Sequence, residues 1–272
     1  MMIRRLIKKG ANLIGYDITR VNQVAWQTDF DQNFGYDLER EANESIKKIV
    51  HHTMSPYPKL VTLYQQAVHC EKNQIPGDFV ECGVWKGGAV ALMALANLKH
   101  GKQRRHIHLF DSFDDICEPD AVLDGEQALE DVRRYAGDSS NMKGQLRPLK
   151  GFYDSFGGCG TLDENRNLLE KIVQYDPEYI HYHVGWFQDT LPKVESTINE
   201  IAILRLDCDW YASVKVCLES LYPRLVSNGF LIVDDYGYYE GSKKAVDEFI
   251  EHNQIHLFMN HVDLSCRYLI KQ

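Results

Sequence analysis

Short apolar runs alternate with helix-like stretches along most of the chain. Asp78-Phe79-Val80-Glu81-Cys82 follows a Pro76-Gly77 turn and predicts a strand. His106–Asp111, Tyr179–Val184, Ile201–Asp207 and Gly229–Asp235 predict four more. Between them, Ala89–Lys99, Leu162–Tyr175, Ser213–Leu225 and Lys243–Asn253 carry helical spacing. Glu41–Gln74 is also helical, broken at Ser55-Pro56-Tyr57-Pro58. Two short strands around Ile255–Met259 and Leu264–Ile270 are expected to close the chain. The alternation predicts an α/β protein, a mostly parallel sheet with helices on both faces. Residues 1–50 read as a helical or irregular extension and 51–272 as the domain. Within the domain, 112–165 is less regular, with glycines, acids and several aromatics, and reads as an insertion over the active site.

In parallel sheets of this kind, ligands bind outside the carboxyl ends of the strands. Four predicted strand ends carry acids: Glu81, Asp111, Asp207 and the pair Asp234-Asp235. The turn from Glu81 through Gly83, Trp85 and Gly87 to Gly88 is glycine-rich, which lets backbone approach a ligand closely. Its spacing is neither that of a dinucleotide turn nor that of a phosphate loop. Asp111, ending the second strand, can hold the hydroxyls of a ribose. Together these predict a cofactor that contains a nucleoside but needs no phosphate clamp. Asp207 and Asp209 on one strand end, and Asp234 and Asp235 on the next, would repel one another. A hard divalent cation such as magnesium relieves that repulsion, and it would acidify and orient a bound hydroxyl.

The 272 residues carry a net charge of −9, which argues against a nucleic-acid partner. Arg4, Arg5, Lys8, Lys9 and Arg20 concentrate positive charge in residues 1–20, opposite an apolar stripe that includes Ile3, Leu6 and Ile7. That pattern suits contact with a membrane surface or with another subunit of a homo-oligomer, the assembly expected here. No apolar run reaches the ~18 residues of a membrane-spanning helix, and no secretory signal is evident. With seven unpaired-looking cysteines, the expected compartment is the reducing cytoplasm. His181 and His183 lie within a predicted strand and read as structural.

Four segments together resemble the TylF, or macrocin O-methyltransferase, family: DFVECGVWKGG (78–88), VGWFQDTLP (184–192), LRLDCDWY (204–211) and LIVDDYGYYEGSKKAVDEF (231–249). The resemblance runs from about Met54 to Phe249. It implies a class I methyltransferase fold, Rossmann-like and seven-stranded. It also implies S-adenosylmethionine and a divalent metal as cofactors, with transfer to a hydroxyl of a sugar in a natural product or glycan. By the same resemblance, Glu81, Gly83, Trp85 and Gly87 line the cofactor, and Asp111 and Ser112 hold its ribose. Gly185, Trp186 and Phe187 would sit by the adenine, and Thr53, Met54 and Ser55 would close over the methionine tail. Asp207, Asp234 and Asp235 match the metal ligands. Asp209 would stand near the acceptor hydroxyl, with either Asp207 or Asp209 taking the proton. A catechol-type methyltransferase and a non-catalytic cofactor-binding scaffold are the alternative readings.

Overall fold

The protein is described here by a computed structural model covering residues 37–272. The basic segment 1–20 therefore lies outside the described residues. After α1 (Asp37–Ile49) and a short 3-10 turn comes α2 (Tyr57–Lys72), then β1 (Asp78–Cys82), α3 (Gly88–His100) and β2 (Ile107–Asp111). Next are α4 (Gly125–Tyr135), α5 (Leu162–Arg166), β3 (Ile180–Val184), α6 (Phe187–Val194) and β4 (Ile201–Leu206). The chain ends with α7 (Tyr211–Leu221), β5 (Leu225–Val233), α8 (Glu240–His252), β6 (Asn260–His261) and β7 (Arg267–Ile270). The strands form a seven-stranded sheet in the order β3-β2-β1-β4-β5-β7-β6. Strands β1 to β5 pair in parallel, whereas β7 runs antiparallel to β5 and to β6.

Strand positions follow the apolar runs because parallel strands are covered on both faces. All six residues of β4 are buried, Arg205 among them. The alanine-rich α3 is buried from Gly88 to Asn97, packed against α1 and α2 as well as the sheet. Small side chains allow that close approach. α1 thus packs into this body, although it falls within the segment expected to be an extension.

Four expectations need correction. The segment 112–165 is not wholly irregular: α4 lies inside it and buries Ala128 and Val132. That helix packs beside Trp210 and Tyr239. The helix expected over Leu162–Tyr175 is α-helical only to Arg166 and continues as a wider π-turn over Asn167–Ile172. The strand expected from Gly229 begins at Leu225, and the closing strands are shorter and later than their expected spans.

Four histidines cross the β2–β3 edge. His106 Nδ1 lies 2.9 Å from His181 Nε2, and His108 Nδ1 lies 3.0 Å from His183 Nε2. His108 Nε2 is 3.2 Å from the Asp78 carboxylate, and the His183 ring stacks on Phe110. Each imidazole pair needs one donor and one acceptor, so protonating both rings breaks the bond. Burial first, then the charges of His108 and His181, push His183 down from 6.5 to about 4. The unfolded chain therefore takes up the proton first, and stability is lost as pH falls from 6.5 toward 4. The midpoint of thermal unfolding should drop across that window. His183→Phe, which keeps the stacking on Phe110, should flatten the drop; an unchanged pH profile in the variant would remove His183 as its cause.

Candidate active site

Ladder hydrogen bonds run past the strand ends and collect the acids on one rim. Gly83 N–H donates to Phe110 O, Gly185 N–H to Asp111 O, Asp207 N–H to Cys82 O, and Asp234 N–H to Leu206 O, each at 2.8–2.9 Å. Gly83 sits at φ +82°, and a Cβ there would lie 1.8 Å from Asp207 O. No other residue lets the glycine turn approach the β4 end so closely.

Two adjoining cavities open on this rim. The larger, about 280 Å³, is lined by Met54, Gly83, Trp85, Asp111, Ser112 and Gly185 together with Trp186, Phe187, Asp207 and Asp209. Its far wall is aromatic, with Tyr153, Trp210 and Tyr239 among its residues. The smaller, about 190 Å³, is lined by Thr53, Met54, Ser55, Glu81 and Trp85, and by all four acids of the β4 and β5 ends. The structure thus brings together nearly every residue singled out from the sequence. Gly87 lines neither cavity: it lies behind the turn, against the Asn165 side chain.

The Asp111 carboxylate accepts the amides of Val84 at 2.7 Å and Trp85 at 3.1 Å on Oδ2, and that of Phe113 at 2.7 Å on Oδ1. It therefore knits the glycine turn as well as facing the cavity. Burial raises its pKa, against the lowering by those amides. Asp111→Ala should weaken S-adenosylhomocysteine binding by about 1.5–3 kcal/mol, through both the lost carboxylate and the loosened turn. Calorimetry on the folded variant checks this, and unchanged affinity would exclude Asp111 from the site.

Asp207, Asp234 and Asp235 each offer one oxygen such that all three lie within 4.8 Å of one another. Two cations already stand among them. Arg205, only 3% exposed, donates to Glu81, to Asp207 at 2.7 Å and to Asp234 Oδ1 at 2.5 Å. Lys59, from the first turn of α2, donates to Asp234 Oδ2. Burial pulls the Lys59 ammonium down, but the charges of Asp234, Asp207 and Asp235 hold it above its ordinary value. Repulsion between neighbouring acids thus does not by itself require a metal. The Glu81 carboxylate is engaged by Arg205, and its pKa is pushed up to about 8 by burial, with Arg205 opposing. Asp235 Oδ2, by contrast, is buried with no hydrogen-bond partner. Burial, then Asp209 and Asp207, hold Asp235 well above the ordinary carboxylate range. Asp209, at φ +56°, is raised in the same direction by burial and by Asp207 and Asp234.

Lys59, Arg205 and Tyr153 were not singled out from the sequence. Arg205 had a signal: it and Glu81 interrupt apolar runs on β1 and β4, where they are register partners. Tyr153 lies on a strap fixed at both ends. The Asp115 carboxylate accepts the amides of Gly151 and Tyr153. Further on, the Trp85 indole donates to Gly158 O at 3.1 Å and Lys86 Nζ to Gly157 O at 2.8 Å. A Cβ at Gly160 would lie 1.8 Å from Trp85 O, so the strap lies directly on the glycine turn.

The family model described as macrocin O-methyltransferase (TylF) matches residues 14–144 and 162–271. The chain belongs to this family. It is an S-adenosylmethionine-dependent O-methyltransferase with the class I methyltransferase fold. The match extends the four-motif resemblance at both ends and includes 112–144, so of the expected insertion only 145–161 stands outside the family pattern. A demethyldecarbamoylnovobiocin O-methyltransferase of Streptomyces niveus is 33% identical over 198 residues, 73% of this chain and 67% of that protein. The 8-demethyl-8-(2,3-dimethoxy-alpha-L-rhamnosyl)-tetracenomycin-C 4'-O-methyltransferase of Streptomyces olivaceus is 30% identical over 251 residues, 88% of each chain. The solved structure of the O-methyltransferase NovP superposes with a TM-score of 0.64 at 30% identity, covering 81% of this chain and 82% of that one. Among the described residues, no helix of this TylF-family protein is long and apolar enough to cross a membrane.

Proposed function

We propose that the protein methylates a hydroxyl on the sugar of a natural product or glycan, with a divalent cation held by Asp207, Asp234 and Asp235. The observation that carries the cation is the trio itself: three carboxylate oxygens within 4.8 Å, with Asp235 Oδ2 buried and unpartnered beside the cavity. The sugar comes from the acceptors in the names of the relatives, one a rhamnosyl tetracenomycin. When bound, S-adenosylmethionine supplies an electrophilic methyl group, and the cation lowers the pKa of a hydroxyl. The chain's own residues do the rest. The turn at Gly83–Trp85, with Asp111 and Ser112, binds the amino-acid and ribose end of the cofactor. Gly185, Trp186 and Phe187 take the adenine, and Thr53–Ser55 closes over the methionine tail. Glu81 acts through Arg205 to set the positions of Asp207 and Asp234. Asp209 lines both cavities, and burial with Asp207 and Asp234 raises its affinity for a proton; it is the candidate proton acceptor, with Asp207 as the other. The strap excludes water from the cavity.

The test incubates the protein with S-adenosylmethionine, magnesium and a panel of deoxysugar glycosides and simple catechols, reading methyl-sized mass gains. Methylation of glycosides, lost in chelator and restored by magnesium, supports the proposal. Transfer to catechols alone would replace it with the catechol reading. Cofactor binding without transfer to any acceptor would favour a scaffold, and full activity in chelator with negligible metal would leave Asp207 or Asp209 as a metal-free general base.

A further inference from the structure

Five carboxyl groups meet at the ends of β1, β4 and β5: Glu81, Asp207, Asp209, Asp234 and Asp235. Against them stand Arg205 and Lys59, and the two are held very differently. Arg205 is fixed by Glu81, Asp207, Asp234 and, at 3.3 Å, Ser55 Oγ. Among the described residues, the Lys59 ammonium hydrogen-bonds Asp234 alone, at Oδ2 and, at 3.4 Å, at the backbone oxygen. Both carboxylate oxygens of Asp234 are therefore already engaged, one by a rigid partner and one by a flexible tether. A cation that draws an oxygen from Asp234 has to compete with one of them.

We infer that Lys59 is an internal counter-ion: it holds Asp234 Oδ2 while no cation is present and yields that oxygen when a divalent cation binds the trio. This rests on the reading of Asp207, Asp234 and Asp235 as the cation site. The exchange keeps the trio assembled without a cation, since Asp234 never faces its neighbours uncompensated. It also sets how tightly a cation binds, because the +1 charge on Lys59 opposes the arrival of a second positive centre. Lys59 follows Thr53–Ser55 in the chain by four residues, so its contact with Asp234 ties that segment to the acid cluster. Lys59 is thus a positioning residue, not a catalytic one.

The test uses Mn²⁺ as the probe. Binding isotherms are measured by calorimetry on the unaltered protein, Lys59→Met and Asp235→Asn, and thermal melts are recorded in chelator and in saturating Mn²⁺. Lys59→Met is expected to bind Mn²⁺ roughly 10- to 100-fold more tightly. In chelator it should melt below the unaltered protein, and saturating Mn²⁺ should close that gap. Should Lys59→Met not fold, Lys59→Gln keeps a donor to Asp234 without the charge, and at least a severalfold gain is expected. Affinity equal to or weaker than that of the unaltered protein overturns the inference while leaving the cation site standing. Mn²⁺ binding that is absent from the unaltered protein, or unaffected by Asp235→Asn, overturns the cation site, and the role of Lys59 with it.

Discussion

Asp235→Asn is expected to lower methyl transfer about a thousandfold while S-adenosylhomocysteine affinity stays within about twofold of the unaltered protein. A thousandfold is about 4 kcal/mol of transition-state stabilisation, the scale of a lost Lewis acid. The substitution is close to isosteric, so the packing of this buried position is kept. It also removes a charge that its neighbours disfavour: Asp209, Asp207 and Asp234 all push the Asp235 pKa upward. The fold should therefore hold, and its melting point should stay level or rise. Cofactor affinity is largely spared because the ribose and adenine residues Asp111, Ser112 and Gly185–Phe187 line the larger cavity, which Asp235 does not line. Single-turnover transfer to an acceptor that the unaltered protein methylates, with calorimetry in parallel, reads both quantities. A rate within tenfold of the unaltered protein would sink the assignment of Asp235 as a ligand.

Arg205→Met should destabilise the fold by about 3–5 kcal/mol, because it leaves buried carboxylates without their cation. Arg205 has three carboxylate partners, and Glu81 and Asp234 are 1% and 4% exposed. Glu81 is affected most: burial pushes its pKa up to about 8 against the opposing Arg205, and losing Arg205 shifts it further toward the neutral carboxyl. That neutralisation limits the loss. The double variant Glu81→Gln/Arg205→Met should accordingly regain part of the lost stability, since the two residues are directly coupled. Urea unfolding of both variants checks this. A midpoint unchanged in the single variant would mean that the network adds nothing to stability, and equal losses in both would remove Glu81 as Arg205's main partner.

The strands were legible from sequence because four largely buried parallel strands write apolar runs ending in acid, whereas the edge strand β3 buries only Ile180 and shows by its length and β-branched ends. The rim followed from topology, since a parallel sheet brings those ends together whatever lies between. Other features were not legible, for specific reasons. α4 buries only two apolar side chains, Ala128 and Val132, beside Asp131, and so passes for part of the less regular stretch around it. Its order comes from tertiary contact with Trp210 and Tyr239, residues far along the chain. Lys59 meets Asp234 across 175 residues, and a lysine after two prolines carries no sign of that partner. Asp234 meets counter-charge from Lys59 and Arg205. The sequence reading did not include the cations the chain itself supplies.

The strap over the glycine turn is fastened there by two side-chain hydrogen bonds, from Trp85 and Lys86. Each is worth about 0.5–1.5 kcal/mol net in water, so releasing both costs about 1–3 kcal/mol. Those two bonds alone would leave the strap open in roughly one molecule in five to one in 150, and the packing of Phe152 and Phe156 against Tyr135 lowers that fraction further. The Trp85 indole N–H, which donates to Gly158 O, should exchange with solvent orders of magnitude faster than the amides of the buried α3. Release at that end would open the cavity without unfolding, provided the Asp115 contacts to Gly151 and Tyr153 and the sheet beneath stay in place.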